Sequence, residues 1–359
     1  YYSRHLAIEV LPGQVIIGPG SKSLIYAMLA AIDSDIIMPT PAWSSYQDIA
    51  TLTGRPVLEV PMDPENDYRP EVGRIQEAMT SAAKEWRRPD LLLFSAPHNP
   101  TATTLSADDT RAITDFAREN ELMILSDEIY VRLTYDSLPH VSPAQPYPQG
   151  TVVLGGLSKH MSVGGWRLGV AILPPTAAGE AMERAAMAIA GSIWSSASAP
   201  VQHAAAVAYS DDPEIEAYVR DCTQMHAIRT RYLHDALIEF GVPCPEPTAT
   251  FYLYPSFAKW REPLAARGVT TCGELSSYLL ENYDIAILPG ATFGDDPQAL
   301  AFRLSTSYLD METDEQALNI VAAYGEDAAP DHLIEGHHPR LREVATRLAD
   351  FVTELEGVS

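Results

Sequence analysis

The sequence predicts an α/β fold: a mostly parallel central sheet with helices on both faces, followed by a smaller C-terminal α+β domain. Seven short apolar runs alternate with helical patterns in the first 173 residues, an order typical of a parallel sheet covered on both sides. Polar and aromatic residues directly follow several of these runs, at the strand ends where such sheets bind ligands. Beyond about residue 178 the pattern changes to long helical stretches with short apolar runs between them.

The predicted strands of the sheet are short apolar runs bounded by turn-forming residues. They cover residues 14–18, 35–38, 56–60, 90–94, 122–125, 151–154 and 168–173. Gly18-Pro19-Gly20 breaks the first strand, because glycine and proline fit turns better than strands. The remaining runs also end at glycine, proline or polar residues, so each is read as one strand.

Helical patterns separate the strands and account for both covered faces of the sheet. They cover residues 21–32, a stretch ending near residue 53, residues 70–86 and residues 106–120. Ser21 stands near the N-cap of the first. Ser106, followed by Asp108 and Asp109, is a good start signal for the last, because acidic side chains favour a helix N-terminus.

The second half of the chain predicts a different architecture. Residues 178–240 are rich in helix, with a long connecting helix from about residue 213, and short strands follow at 251–254, 286–288 and 301–305. An amphipathic helix is expected over residues 339–356. We therefore divide the chain into a large domain, residues 1–205, and a small domain, residues 206–359.

Residues 326–338 are expected to form a solvated connector. The paired His337 and His338 could bind a metal ion, but this is the less favoured alternative because no further ligands converge on them in sequence. We therefore expect no metal site.

Composition narrows the classes of partner. The chain has 359 residues, 46% of them hydrophobic and 20% charged, values typical of a globular protein. A net charge of −24 repels nucleic acids and anionic membrane surfaces, so neither is an expected partner. Three scattered cysteines indicate reduced thiols in a cytoplasmic protein. No apolar run reaches transmembrane length, and no signal peptide opens the chain.

A glycine-rich stretch, residues 155–169, joins the last two predicted strands and contains Lys159. A lysine at the mouth of a sheet is a candidate for covalent chemistry, because a deprotonated amine can condense with a carbonyl. The alternative is a solvated surface lysine, which is the commoner situation for a lysine taken alone.

Two further strand ends suggest partners for a charged, phosphorylated ring. Asp127 follows a buried strand and would need a cation, such as a protonated pyridine nitrogen; the alternative is a helix-capping aspartate. Gly20 and Ser21 at a helix start, together with Arg167, could bind a phosphate; the alternative is an ordinary strand–helix turn.

Aromatic and amide side chains at the same edge complete the candidate set. Trp43 could stack on a planar ring, although a core position is the alternative. Asn99 and Tyr130 can each hydrogen-bond a phenolic oxygen.

These motifs, in this order and spacing, resemble those of fold-type I pyridoxal-phosphate enzymes of the class I/II aminotransferase family. The resemblance spans nearly the whole chain. The residues that carry it are Ser158-Lys159 with Gly165-Trp166-Arg167-Leu168-Gly169, Pro97-His98-Asn99-Pro100-Thr101, Ser126-Asp127-Glu128-Ile129-Tyr130 and Phe302-Arg303-Leu304-Ser305.

The resemblance implies an aminotransferase that uses pyridoxal 5'-phosphate and moves an amino group from an amino acid to a 2-oxo acid. Lys159 would hold the cofactor as an internal aldimine and then carry the proton, with Asp127 on the pyridine nitrogen; these two and Tyr130 are the expected catalytic residues. The other implied contacts are Asn99 and Tyr130 to the ring oxygen, Trp43 on the ring, Gly20, Ser21, Lys22, Ser158 and Arg167 to the phosphate, and Arg303 with Asn99 to the substrate carboxylate. A homodimer with active sites at its interface is also implied.

The sequence departs from the family pattern in three places. Ala102 stands where the family usually has glycine after Asn-Pro-Thr, and Gly156 replaces a serine two residues before the Ser-Lys pair. The family's N-terminal arm has no counterpart in this numbering, so we expect upstream sequence.

Three other functions remain as alternatives. A lyase that eliminates or replaces a β- or γ-substituent would use the same cofactor, and the Pro-His-Asn-Pro string also occurs in carbon–sulfur lyases of this fold. A P-loop hydrolase would be built on residues 18–23, but Ser21 stands where the pattern needs glycine. A non-catalytic cofactor-binding regulator would not need Arg303.

Overall fold

The structure, a computed structural model, describes residues 1–84, 89–210, 212–326 and 329–357. Two units can be distinguished within it. The first comprises Tyr1–His98 and Thr104–Val219, and the second comprises Asn99–Thr103 and Arg220–Ser359. The chain passes from the first unit to the second between Val219 and Arg220. The domain boundary after residue 205 stays a prediction.

The seven predicted strands form one sheet in the first unit, with the order β1-β7-β6-β5-β4-β2-β3. Their bounds are β1 Val15–Gly18, β2 Asp35–Thr40, β3 Val57–Pro61, β4 Pro89–Ser95, β5 Met123–Asp127, β6 Thr151–Gly156 and β7 Gly169–Ile172. β7 pairs antiparallel with both β1 and β6, and every other pairing is parallel. The prediction of a mostly parallel sheet is confirmed.

Helices cover both faces of this sheet, as the alternation of patterns predicts. They are α1 Tyr2–His5, α2 Ser21–Ala31, α3 Ser44–Leu52, α4 Val72–Ala83, α5 Ala107–Glu119, α6 Ala177–Ile193 and α7 Ala199–Ala208. Leu91 and Leu93 of β4 pack with α2, α3 and α6, whereas Leu92 and Phe94 pack with α4 and α5. Alternate residues of one strand thus serve two cores, so the strand is apolar throughout.

The predicted bounds of these elements differ from the observed ones mainly at their ends. β5 continues through Asp127 and β6 through Gly156, so residues assigned to loops belong to the strands. The helix predicted over residues 70–86 ends at Ala83, and its predicted residues 85 and 86 lie outside the described residues.

The second unit is built on a small antiparallel sheet with the order β8-β10-β9. Its elements are α8 Pro213–Glu239, β8 Tyr252–Leu253, α9 Arg261–Ala266, α10 Cys272–Tyr283, β9 Leu288–Pro289, β10 Phe302–Ser305, α11 Asp314–Glu326, α12 Pro330–His337 and α13 Pro339–Glu356. α8 carries the chain into this unit. Phe257 lies at the centre of the core, with its ring 5.5 Å from that of Phe302 and 5.2 Å from that of Phe351.

The expectation of a solvated connector before the last helix is wrong for residues 330–338. Pro330–His337 forms α12, whose Leu333 and Ile334 are buried, and His338 is fully buried. Burial of this apolar pair stabilises the segment as a packed helix, which its mostly polar composition does not predict. Residues 327 and 328 of the expected connector lie outside the described residues.

No helix in the described part of the chain is long and apolar enough to span a membrane.

Candidate active site

Parallel pairing brings the ends of neighbouring strands to one edge of the large sheet. Asp127, the last residue of β5, pairs with Ser95 of β4 and with Leu154 of β6. Lys159 follows β6 after only two further residues. The sheet therefore places Asp127 and the glycine-rich stretch with Lys159 at the same edge, as the sequence predicts.

Asp127 is a buried carboxyl group, with 2% of its surface exposed. The Tyr46 hydroxyl donates a hydrogen bond to its Oδ2 at 2.8 Å, and the Ile129 amide donates to its Oδ1 at 3.2 Å. Burial raises the pKa of Asp127 to about 6, although both hydrogen bonds and the charge of Lys159 oppose this rise. The next helical turn, Val131–Leu133, has Tyr130 as its N-cap, so Asp127 is not a helix cap.

Tyr46 is a site residue that the sequence analysis missed. It lies on α3, three residues after Trp43, and its ring is 1% exposed and packs edge-on against that of Trp43 at 5.4 Å. The signal was the i, i+3 spacing of two aromatic residues at a helix start, which places them on one helix face. Trp43 is half-buried and packs against the core of the sheet.

Lys159 lies beside Tyr130 in the first unit. Its ammonium nitrogen, Nζ, is 5.3 Å from the centre of the Tyr130 ring, within the range of a cation–π contact. Lys159 is half-buried, whereas Tyr130 is 3% exposed. The Lys159 side chain is therefore only partly exposed to solvent.

The start of α2 lies against the guanidinium of Arg167. Gly20 is the N-cap of α2 with φ 87°, and a Cβ atom there would overlap the guanidinium of Arg167. A Cβ atom on Gly169 would overlap the Ser21 amide nitrogen. Arg167 Nη1 donates to the Gly164 carbonyl at 2.7 Å. Free amide groups at a helix start beside a guanidinium make a site for an anion such as a phosphate.

Two other predicted phosphate contacts, Lys22 and Ser158, are close in sequence to Ser21 and Arg167. Lys22, on the first turn of α2, is exposed, and its ammonium is 4.9 Å from the centre of the Trp43 ring. Ser158 is half-buried and directly precedes Lys159.

Asn99 and Arg303 are together in the second unit. Arg303, on β10, donates a hydrogen bond from Nη1 to Asn99 Oδ1 at 2.8 Å. Asn99 is 4% exposed. Of the two roles expected for Asn99, the one with Arg303 corresponds to a direct contact. The other predicted site residues belong to the first unit.

Ala102, the residue in place of the family's glycine, has a left-handed backbone with φ 63° and is fully buried. Its carbonyl accepts hydrogen bonds from the amides of Thr248 and Ala249. The conformation at this position is one that glycine adopts without strain, which explains the usual residue.

Metal ligands are not grouped in the described residues: no set of three or more His, Cys, Asp or Glu side chains there could hold a metal ion.

Comparison with known proteins identifies the family. The sequence matches the family described as aminotransferase class I and II over residues 1–321. The chain belongs to this family. The members are pyridoxal-phosphate-dependent enzymes that transfer amino groups, so the predictions of cofactor and of enzyme class are confirmed.

The relatives of this chain are named for different amino acid substrates. The chain is 30% identical to the aspartate aminotransferase of Bacillus subtilis over 313 residues, 85% of this chain and 75% of that protein. It is 30% identical to the asparagine–oxo-acid transaminase of Streptococcus mutans over 333 residues, 91% and 79% of the two chains. The solved aromatic aminotransferase of Pyrococcus horikoshii shares the fold, with a TM-score of 0.81, 24% identity and coverage of 99% of this chain and 84% of that one.

The residues of the first unit fit this cofactor. A buried carboxyl group can hold a cationic ring nitrogen, because a carboxylate at 2% exposure is poorly solvated by water. The Arg167 guanidinium packs against Gly20 at the start of α2, and this pairing of a cation with helix N-terminal amides suits the charge of a phosphate.

Proposed function

We propose that this aminotransferase moves the amino group of an amino acid to a 2-oxo acid with Lys159 as its covalent and proton-carrying residue. The observation that supports this most is the buried Asp127, hydrogen-bonded to Tyr46 and raised in pKa by burial, at the sheet edge that also carries Lys159. Pyridoxal phosphate, when bound, supplies an electron sink for the carbanion formed at the substrate α-carbon.

Asp127 keeps the cofactor ring cationic. Its carboxylate lies away from water, so its charge is weakly screened and favours a proton on a ring nitrogen that contacts it. The Tyr46 hydroxyl favours the ionised form of Asp127, because a hydrogen bond to a carboxylate stabilises its charge.

Lys159 provides the amine that binds the cofactor covalently and, once released, holds and moves the proton at Nζ. Tyr130 and Asn99 would hold the ring oxygen of the cofactor, and Trp43 would stack on its ring. Gly20, Ser21, Lys22, Ser158 and Arg167 hold the phosphate; the amides at the start of α2 and the Arg167 guanidinium support this. Together these residues would hold the cofactor in one orientation beside the Lys159 amine.

Arg303 binds the α-carboxylate of the substrate, assisted by Asn99. A guanidinium suits this task because its planar donors match the two oxygens of a carboxylate. The hydrogen bond from Arg303 to Asn99 fixes one end of the guanidinium and supports this assignment.

The reaction type is tested with a ¹⁵N-labelled amino acid and an unlabelled 2-oxo acid. We expect the label in the amino acid formed from the 2-oxo acid, with one new amino acid for each donor consumed. Stoichiometric release of ammonia and a 2-oxo acid from a single substrate would instead identify a lyase and contradict the proposal.

We further propose a cytoplasmic homodimer whose active sites lie at the subunit interface. Large apolar side chains on α6 and α7 are exposed in the single chain: Met187 by 58%, Ile193 by 59% and Val207 by 58%. Such side chains support a covered surface. The three thiols, none of them in a disulfide, support a reducing compartment. Sedimentation equilibrium tests the dimer.

A further inference from the structure

Two aromatic rings pack against the guanidinium of Arg303. Its central carbon, Cζ, lies 4.2 Å from the centre of the Tyr252 ring and 4.9 Å from the centre of the Phe293 ring. Both rings are buried, with 6% and 3% of their residues' surfaces exposed. A cation–π contact is strongest where water is excluded, so both contacts stabilise the charged guanidinium in this position.

The small sheet of the second unit places one of these rings on each side of Arg303. β10 carries Arg303 and lies between β8 and β9. Tyr252 belongs to β8 and pairs with Ser305 of β10. Phe293 ends the helical turn that directly follows β9, the strand in which Leu288 pairs with Arg303. The strand order, together with the helical turn after β9, therefore brings one ring from each side to the same arginine.

Phe293 is itself held in place by a chain of contacts. Its ring packs edge-on against that of Tyr254 at 6.3 Å, and the Tyr254 hydroxyl donates to Asp295 Oδ2 at 2.8 Å. Tyr254 is 1% exposed, and a Cβ atom on Gly290 would come within 2.7 Å of its hydroxyl oxygen. Phe293 thus has little freedom to leave the guanidinium.

Two donor nitrogens of the Arg303 guanidinium, Nη1 and Nε, have fixed surroundings in the second unit. Asn99 accepts from Nη1, and Nε is buried without a hydrogen-bond partner in the described residues. The two rings offer no carboxylate-like acceptor, so a guanidinium turned toward them would lose its ring contacts without gaining a hydrogen bond. A guanidinium turned away from Asn99 would lose the hydrogen bond from Nη1. Bidentate binding of a carboxylate depends on such a fixed donor plane.

We propose that Tyr252 and Phe293 are positioning residues that hold the Arg303 guanidinium in the orientation that binds the substrate carboxylate. This inference rests on the carboxylate-binding role proposed above for Arg303. Neither ring needs to contact the substrate. The rings act through Arg303, so their removal weakens amino acid binding while the chemistry of the bound substrate is kept.

The experiment compares ring-removing and ring-retaining variants of the cofactor-loaded enzyme. Phe293→Leu and Tyr252→Leu should each raise the KM for the amino acid donor about 3- to 30-fold, the loss expected for one desolvated cation–π contact. Their kcat should stay within about twofold, because the interaction is equal in bound substrate and transition state. Phe293→Tyr and Tyr252→Phe keep the ring and should keep a KM near that of the wild type. The visible absorbance of the bound cofactor monitors folding.

A double-mutant cycle separates this inference from the role of Arg303. Arg303→Lys should raise KM strongly, because an ammonium cannot bind a carboxylate bidentately; an unchanged KM would contradict the proposed role of Arg303 itself. In the Arg303→Lys background, Phe293→Leu should add less than about a twofold effect, since the guanidinium plane that Phe293 orients is already gone. Equal effects of Phe293→Leu in both backgrounds would overturn the positioning role, as would an unchanged KM in the wild-type background. If Phe293→Leu does not fold, Tyr252→Leu on the opposite neighbouring strand provides the same test.

Discussion

Replacing Tyr46 with phenylalanine should change the pH range in which the protein binds its cofactor. The change removes one hydroxyl group from a buried ring and leaves the packing of that ring against Trp43 in place. The hydroxyl donates to Asp127 at 2.8 Å, and both residues are almost fully buried. Water cannot replace the lost donor, so the ionised form of Asp127 loses stabilisation.

The size of the effect follows from the strength of this bond. A hydrogen bond to a charged group contributes about 1.5 to 3 kcal/mol, which corresponds to a rise of about 1 to 2 in the pKa of Asp127. The wild-type pKa is about 6 in the absence of cofactor. With a pKa of about 7 to 8, Asp127 of the variant would be about half to nine-tenths protonated at pH 7, and the apparent Kd should rise about 2- to 10-fold, in proportion to the lost ionised fraction.

The assay is the apparent Kd of pyridoxal phosphate measured between about pH 5 and pH 9. Affinity should fall below about pH 6 in the wild type and about 1 to 2 pH units higher in Tyr46→Phe. Tyr254→Phe is the matched control, because it removes an equally short bond from a buried tyrosine to Asp295 in the second unit. It should keep the wild-type midpoint. A midpoint of Tyr46→Phe that coincides with that of the wild type would refute the coupling between Tyr46 and Asp127.

Three further predictions concern stability. Ala102→Gly should raise the free energy of unfolding by about 1 kcal/mol, because it relieves a left-handed φ of 63° at a non-glycine residue; denaturant titration that shows a loss would contradict this. The melting temperature should rise as NaCl increases from about 0.01 to about 1 M, since salt screens the repulsion within a chain of net charge −24; a falling Tm argues against net repulsion. Burial lowers the pKa of His98 to about 4 and of His160 to about 3. Both are therefore neutral in the folded state, and the stability that they contribute above about pH 6.5 should be lost as pH falls toward these values. His98→Gln should therefore lose less stability than the wild type over this pH range.

The sequence predicts the sheet and its polar edge because both depend on local patterns. Apolar runs and turn residues identify each strand, and parallel pairing then brings Asp127 and the stretch with Lys159 to one edge. The family resemblance adds the roles of these residues.

Contacts between distant parts of the chain could not be predicted. Tyr46 reaches Asp127 only because α3 packs on the sheet, and no local pattern marks its hydroxyl as a partner of that carboxyl group. Tyr252 and Phe293 meet Arg303 through the order of three short strands, which the sequence does not specify. The sequence does not predict α12, because its buried Leu333 and Ile334 form too short a pattern among polar residues.

Covalent attachment of the cofactor to Lys159 is the proposed feature on which the roles of the other site residues depend. Reduction of the pyridoxal-phosphate-loaded protein with borohydride, followed by proteolysis and mass spectrometry, tests it directly. We expect one pyridoxyl-phosphate group, on the peptide that contains Lys159, and its loss together with the visible absorbance in Lys159→Ala. Attachment to Lys22, Lys84 or Lys259, the other lysines of the chain, or a reducible adduct that persists in Lys159→Ala, would contradict it.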